Sequence, residues 1–394
     1  MENGISIGGI ELNSRERVLK ALRHQEPDRV PFDLAGTVTS GIHRDAYANL
    51  LKHLGYVDKK VTVGEIHQQL AVVEEDMLQR FEVDFRPVYG KLPSGWLPEF
   101  TEDENYTMFI DQWGIGWRMP KDNGLYYDLM SHPFANMTSP DEVRKYHLPD
   151  PEDPARLAGV KEEAKKLQEK TGASLTLAGV SAGFMEMATW LRGYEKFFMD
   201  LAGNHAMASA ILDKTVELKI KYWKKALNDF GSLIDAAIEA DDFASQFGLI
   251  ISPETYRKFI KPRQKELFEA IKESSPSTFI FFHSCGAVYE IIPDLIEVGV
   301  EALNPVQVSA ANMDSKKLKK EFGDVLTFWG GAVDTQRVLN MGTPQQVRDE
   351  VKRRIDDLAP GGGFIFTPVH NVQPDVPPEN FMAMWETWKE FARY

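Results

Sequence analysis

The chain has 394 residues, of which 43% are hydrophobic and 26% are charged, the composition of an ordinary globular protein. Its 59 acidic residues outnumber 45 basic ones and give a formal net charge of −14, which disfavours nucleic acids and anionic membranes as partners. The sequence also lacks the run of roughly 18 apolar residues that a membrane helix needs, and its N-terminus lacks the pattern of a signal peptide.

The N-terminal part predicts a helical extension. Apolar residues at helical spacing predict a helix over residues 14–24, with Ser14 as its cap. A turn then leads into a short strand over residues 30–34. The pattern from residue 61 to residue 81 again predicts a helix.

Residues 85–133 differ from the rest of the chain in composition. Aromatic residues and glycines dominate there, and polar residues alternate with apolar ones. The pair Asn123-Gly124 lies between alternating runs, which is typical of a hairpin turn. We therefore predict a β-rich insertion over 85–133 within one domain that spans residues 1–394.

After about residue 150, apolar strands alternate with amphipathic helices, the clearest helix being residues 205–230. The predicted strands are residues 175–180, 233–240, 279–283, 302–306, 326–330 and 364–369. Near-continuous apolar strands that are each followed by a helix indicate a parallel sheet covered on both faces. With residues 30–34 we count about seven units, and an irregular eighth would complete a TIM (β/α)8 barrel.

Polar residues lie at or just after the C-terminal ends of these strands, where a TIM barrel carries its active site. They are Ser181, Asp241, Asp242, His283, Cys285, Asn304, Asp334 and His370.

His283 and Cys285 are two residues apart in an extended segment, so their side chains project to the same side. An imidazole and a thiolate in this arrangement form half of a zinc site. The alternative is a buried thiol beside a hydrogen-bonded core histidine. Cys285 is the only cysteine, so no disulfide can form within the chain, and we expect a cytoplasmic protein.

His370 ends the last predicted strand, and the barrel can bring it to the same mouth. Catalytic zinc commonly has three protein ligands and one open position, so His283, Cys285 and His370 would complete such a set. The alternative is a histidine that holds a loop through its ring nitrogens.

Glu239, Asp241 and Asp242 close the strand over 233–240, where a carboxylate can bind metal, orient a ligand histidine or act as a general acid. Adjacent strand residues face opposite ways, so Asp241 and Asp242 are not expected to point inward together. The outward one is expected to cap the following turn.

Several motifs resemble the uroporphyrinogen decarboxylase superfamily. They are Arg17-Val18-Leu19 with Asp28-Arg29-Val30-Pro31-Phe32, Ile251-Ser252-Pro253-Glu254-Thr255-Tyr256, and Phe259-Ile260-Lys261-Pro262. His283-Ser284-Cys285-Gly286 is similar to the zinc-binding His-x-Cys motif of the methylcobamide:coenzyme M methyltransferases in this superfamily. The resemblance covers nearly the whole chain except the insertion.

Two departures qualify the resemblance. The decarboxylases carry an arginine-rich motif that binds substrate carboxylates, where this chain has the uncharged or acidic stretch from Asp33 to Gly41. The methyltransferases have a second cysteine ligand where this chain has His370.

The resemblance implies a zinc-dependent methyltransferase that works with a corrinoid carried by a separate partner protein. The other substrate would be a small methylated molecule such as an aryl methyl ether, with Asp241 or Glu239 protonating the product. The direction of methyl transfer stays open. Two alternatives remain: a metal-free decarboxylase of a porphyrin-like substrate, and a non-catalytic module that docks a corrinoid protein.

Overall fold

The computed structural model describes residues 12–394. Seven parallel strands form one curved sheet. In chain order they are Phe85–Val88, Ser174–Ala178, Ala236–Ala240, Phe279–His283, Ala302–Asn304, Thr327–Trp329 and Phe364–Ile365. Each strand pairs in parallel with the next one in the chain, as the apolar strand pattern predicted.

The two edges of this sheet meet on the segment around Phe32. Phe32 forms a parallel bridge with Phe366, and the N–H of Asp33 donates to the carbonyl of Phe366 at 2.9 Å. On the other side, the N–H of Asp84 donates to the carbonyl of Phe32 at 2.9 Å. The predicted TIM barrel is confirmed, and its irregular unit is the first one.

Fourteen α-helical segments cover the sheet or lie in its loops within residues 12–394. They are Ser14–Leu22, Arg44–His53, Glu75–Arg80, Pro140–Lys145, Val160–Thr171, Phe184–Arg192, Tyr194–Gly203, His205–Phe230, Pro253–Thr255, Lys261–Ser274, Ile292–Glu297, Ser315–Phe322, Pro344–Leu358 and Pro378–Phe391. No helix in this described range is both long and apolar enough to cross a bilayer.

Large apolar side chains fill the barrel interior. Phe281 and Trp329 are fully buried there, with ring centroids 4.9 Å apart in an edge-on arrangement. Val18 and Leu22 of the first helix belong to the same buried cluster. The first helix therefore packs against this interior core.

The β-rich segment forms a four-stranded antiparallel sheet of Phe100–Glu102, Tyr106–Ile110, Gly116–Pro120 and Asp128–Ser131. Asn123 has a positive φ of 58° and lies in the turn between the last two strands. Phe85–Val88, which the sequence placed in the insertion, is instead a barrel strand that pairs with Ser174–Ala178. The single domain over residues 1–394 stays a prediction, since residues 1–11 lie outside the described part.

The predicted helix over 61–81 is wrong. Val63–Glu65 and Leu70–Ala71 form an antiparallel hairpin, and the helix is confined to Glu75–Arg80. The Glu65 carboxylate accepts hydrogen bonds from backbone N–H groups two and three residues later, and Gln69 has a φ of 55°. These local bonds stabilise a turn where a helix would need its own backbone bonds.

The cap of the first helix lies one residue earlier than predicted, and the helix ends at Leu22 and not at residue 24. Its cap is Asn13, whose side chain accepts from the N–H of Glu16, and the Glu16 carboxylate accepts from the N–H of Asn13. Ser14 is the first helical residue.

Candidate metal centre

Three predicted ligands come together at the C-terminal mouth of the barrel. Ligand atoms of His283, Cys285 and His370 all lie within 4.8 Å of one another. The Cys285 Sγ atom is 3.4 Å from Nε2 of His283, and the two imidazole centroids are 5.1 Å apart. Residues distant in sequence meet here because Phe279–His283 ends at the mouth and the loop after Phe364–Ile365 returns to it.

Asn304 fixes the ring of His283. The Asn304 Oδ1 atom accepts a hydrogen bond from Nδ1 of His283, and its Nδ2 donates to the carbonyl of Trp329 at 2.7 Å. A proton on Nδ1 leaves the lone pair on Nε2, the nitrogen that faces Cys285. This is the tautomer that a metal-binding histidine needs.

His370 has a left-handed backbone with a φ of 68° and a half-buried side chain. Burial and the neighbouring His283 lower the pKa of His370 to about 3, so its ring is neutral near pH 7. Its Nδ1 accepts the N–H of Asn371 at 2.8 Å. Ligation through Nε2 would need the ring proton on Nδ1, and that proton would displace this hydrogen bond.

The surroundings of Cys285 keep its thiol protonated in the absence of a cation. Burial, and then the charges of Asp242 and Glu186, raise its pKa well above the usual value. Asp242 Oδ1 accepts the N–H of Cys285 at 2.8 Å and lies 3.8 Å from His283 Nε2. A divalent cation here would offset these negative charges and favour the thiolate.

The other two predicted carboxylates contact different elements. Glu239 lies 2.8 Å from Nζ of Lys219 and accepts the indole N–H of Trp223 at 2.6 Å, both on the helix outside the sheet. Asp241 accepts the N–H groups of Met185 and Glu186 at 2.8 and 3.0 Å, at the start of a helix. Their catalytic roles stay predictions, and these contacts favour Asp242 as the residue that reaches the cluster.

Glu186 is a site residue that the sequence reasoning missed. Burial, and then the charges of Asp242 and Asp241, raise its pKa well above the usual carboxyl value. Its helix, Phe184–Arg192, follows the strand Ser174–Ala178, so its place beside the mouth depends on the barrel. The sequence placed Asn304 among the polar residues at strand ends, but it did not predict that Asn304 pairs with His283.

The donor set fits zinc. Two imidazoles and one thiolate are typical ligands of a catalytic zinc ion, which keeps a fourth position for water or substrate. The cluster has three such groups from this chain, with the carboxylate of Asp242 beside them. Hard cations such as Mg²⁺ and Ca²⁺ prefer all-oxygen ligands, so this donor set disfavours them.

Known proteins resemble this chain in sequence and in structure. The family model described as uroporphyrinogen decarboxylase (URO-D) matches residues 111–391, more than half of the chain. A methylcobamide:CoM methyltransferase, MtbA of Methanosarcina mazei, is 27% identical over 250 residues, which cover 62% of this chain and 68% of that protein.

A uroporphyrinogen decarboxylase of Chlorobium phaeobacteroides is 28% identical over 162 residues, which cover 40% of this chain and 43% of that protein. A solved structure of a methyltransferase from Methanosarcina mazei superposes with a TM-score of 0.64 at 19% identity. It covers 97% of this chain and 99% of its own, and it shares the fold.

Proposed function

Because this chain belongs to the uroporphyrinogen decarboxylase family of enzymes, we propose that it is a methyltransferase acting between a small methylated substrate and a corrinoid protein. Relatives named methylcobamide:CoM methyltransferases support this choice of activity within the family. The observation that carries the proposal is the cluster of His283, Cys285 and His370, whose ligand atoms lie within 4.8 Å of one another.

In this proposal the three residues hold zinc. When bound, zinc supplies Lewis-acid stabilisation to a heteroatom that gains negative charge. Asn304 keeps the ring of His283 in the metal-binding tautomer, since its Oδ1 accepts from Nδ1. Cys285 would bind as the thiolate. The positive charge of the cation would offset the adjacent carboxylates, which otherwise disfavour the thiolate.

In this proposal Glu186 supplies the proton and Asp242 positions Cys285. Burial and neighbouring carboxylates raise the pKa of Glu186, which favours the protonated form of this carboxyl group beside the mouth. A protonated acid there can give its proton to a departing oxygen atom, as general acid catalysis requires. Asp242 orients the segment of Cys285 by accepting its backbone N–H.

We propose an aryl methyl ether as the methyl donor and a corrinoid protein as the acceptor. Decarboxylation of a porphyrin-like substrate is less well supported, since Asp33 occupies the region where the decarboxylases carry arginines and is itself buried against Trp329. A purely docking role is less well supported because the three ligand groups are all present and converge.

The test begins with zinc. We expect about one zinc ion per chain by elemental analysis and its loss in His283→Ala, while His53→Ala, on an exposed helix end, keeps it. The zinc-loaded protein should then convert 2-methoxyphenol and cob(I)alamin to catechol and methylcobalamin. A metal-free wild-type protein under zinc-replete conditions would overturn the zinc assignment. Zinc without methyl transfer from any methylated substrate would overturn the activity.

A further inference from the structure

A cavity of about 500 Å³ lies on the C-terminal side of the barrel, a volume that suits a small organic molecule. It lies at the end of the strand Phe85–Val88 and beside the loop that follows Phe32, next to the hairpin of Val63–Glu65 and Leu70–Ala71. Its apolar lining includes Val38, Leu70, Val73 and Leu78, and its polar lining comprises Thr37, Glu65 and Tyr89.

One wall of the cavity is linked to His283 by a short chain of hydrogen bonds. The Thr37 hydroxyl lies 3.0 Å from that of Thr39, and the Thr39 hydroxyl donates to Oδ1 of Asn304 at 3.1 Å. The same Asn304 oxygen accepts from the ring of His283. The loop that lines the cavity therefore also holds the ligand histidine.

The hairpin is linked to the loop of His370 in the same way. Oε1 of Gln68, at the hairpin turn, accepts a hydrogen bond from Nδ2 of Asn371 at 2.9 Å, and Asn371 follows His370. Cavity and metal centre thus share supports on both sides. The N–H of Gly41, which lines the cavity, also donates to Oδ1 of Asn371 at 2.6 Å, so hydrogen bonds connect the cavity lining to the segments of both histidines.

The charge of the cavity is negative. Within residues 12–394, no lysine, arginine or histidine lines it. Although burial opposes ionisation, hydrogen bonds from the ring of His67 and from the N–H groups of Gln68 and His67 lower the pKa of Glu65. Burial, and then the charges of Asp33 and Glu65, raise the pKa of Tyr89, so its hydroxyl stays neutral.

We infer that this cavity binds the body of the methylated substrate, that it selects an uncharged or cationic ring-sized molecule, and that it rejects carboxylates and sulfonates. The apolar lining suits a ring, and Glu65 can accept a hydrogen bond from a hydroxyl or amine on it. An anion would enter a site whose lining carries the Glu65 carboxylate and, within residues 12–394, no lysine, arginine or histidine, while the ring of His67 is already engaged by Glu65 at 2.9 Å. This inference rests on the proposed function and adds the charge class of its substrate.

The experiment compares two ligands that differ by one carboxylate, 2-methoxyphenol and 4-hydroxy-3-methoxybenzoate. Their affinities for the full zinc-loaded chain are measured by calorimetry at pH 7.5. We expect the benzoate to bind on the order of 100-fold more weakly, the size of a like-charge penalty in a partly buried site. Equal or tighter binding of the benzoate would overturn the inference.

Two variants and one control test whether this cavity causes the difference in affinity between the two ligands. Glu65→Gln should narrow the affinity ratio between the two ligands by about tenfold, since one like charge is removed. The control Glu266→Gln removes a negative charge from the exposed face of the helix Lys261–Ser274 and should leave the ratio unchanged. Ala71→Phe should fill the cavity and abolish binding of 2-methoxyphenol at unchanged zinc content. A ratio insensitive to Glu65→Gln, or undiminished binding in Ala71→Phe, would contradict the assignment.

The readouts separate this inference from the proposed function. Binding that responds to both variants without methyl transfer would retain the cavity assignment and overturn the activity. Methyl transfer that proceeds equally well from both ligands would retain the activity and overturn the charge selection. Thermal unfolding of each variant verifies that the comparison is made on folded protein.

Discussion

Asn304 and His283 end adjacent parallel strands at the same register position, and Oδ1 of the amide accepts the Nδ1 proton of the ring. The strand pairing therefore sets which ring nitrogen is available to a metal. Because Asn304 also contacts Thr39 and Trp329, three segments of the barrel mouth determine the orientation of one imidazole.

Asn304→Ala should weaken zinc binding by about 10- to 100-fold, the effect typical of removing a partner that orients a metal ligand. The measurement is competition with a chelator of known affinity at pH 7.5. Asn105→Ala, in an exposed turn of the insertion, serves as the control. Unchanged affinity in Asn304→Ala would show that the ring keeps its orientation without the amide.

Cys285→Ser should lose zinc and methyl transfer while the protein stays folded, because a hydroxyl is a much poorer zinc ligand than a thiolate. Elemental analysis and circular dichroism measure the two properties on one sample. Since Cys285 is the single cysteine, a thiol reagent can also report its protection by zinc without interference. Full zinc content in the serine variant would remove Cys285 from the ligand set.

Asp33 should make stability depend on pH. Its fully buried side chain accepts hydrogen bonds from Trp329 and from the N–H of Gly36, yet burial raises its pKa from 3.8 to about 6. The folded protein then binds the proton more tightly than the unfolded chain does. Its favourable contribution is present below pH 4 and is lost as the pH rises to about 6, with a total of about 3 kcal/mol.

The measurement is urea unfolding of the wild type and of Asp33→Asn from pH 4 to pH 7. The free-energy difference between the two proteins should shift by about 3 kcal/mol in favour of the variant as the pH rises. Comparing the two proteins cancels the contributions of the other carboxyl groups to the pH dependence of stability. A pH-independent difference would mean that Asp33 titrates alike in the folded and unfolded states.

Lys219 and Glu239 form a buried ion pair at 2.8 Å, with side chains 1% and 2% exposed. Lys219→Met should destabilise the fold by about 3 kcal/mol or more, because it leaves a buried carboxylate without its partner. Lys219→Met combined with Glu239→Leu should recover part of the loss. Lys221→Met, on the exposed face of the same helix, should change stability by less than about 1 kcal/mol.

If the loss of stability in the double variant equalled the sum of the losses in the two single variants, Lys219 and Glu239 would be energetically uncoupled. The measurement is equilibrium denaturation of the four proteins of the cycle.

The barrel could be predicted from the sequence because buried parallel strands appear as short apolar runs between amphipathic helices. Phe279–His283 and the helix His205–Phe230 were found at the predicted bounds. The segment 61–81 was misassigned because its apolar spacing suits a helix, whereas the Glu65 carboxylate and the φ of Gln69 stabilise a turn. Such a side-chain contact has no periodic signal.

The metal cluster was expected from the His-x-Cys spacing and from a histidine at the end of the last strand. The surrounding groups depend on contacts between distant segments. Glu186 lies near the mouth because its helix follows the strand Ser174–Ala178. Glu239 points away from the mouth and contacts Lys219 and Trp223. Asp241 accepts N–H groups at the start of the helix Phe184–Arg192, whereas Asp242 accepts the N–H of Cys285.

The seam at Phe32 has a consequence for how the barrel responds to ligands. The barrel is closed there by an isolated β-bridge between Phe32 and Phe366. The loop that lines the cavity begins directly after this segment. A molecule that fills the cavity stabilises the closed ring by mass action. Amide hydrogen exchange at Asp33 and Phe366 should therefore slow when 2-methoxyphenol binds, so that the segment closing the barrel reports occupancy of the proposed substrate cavity.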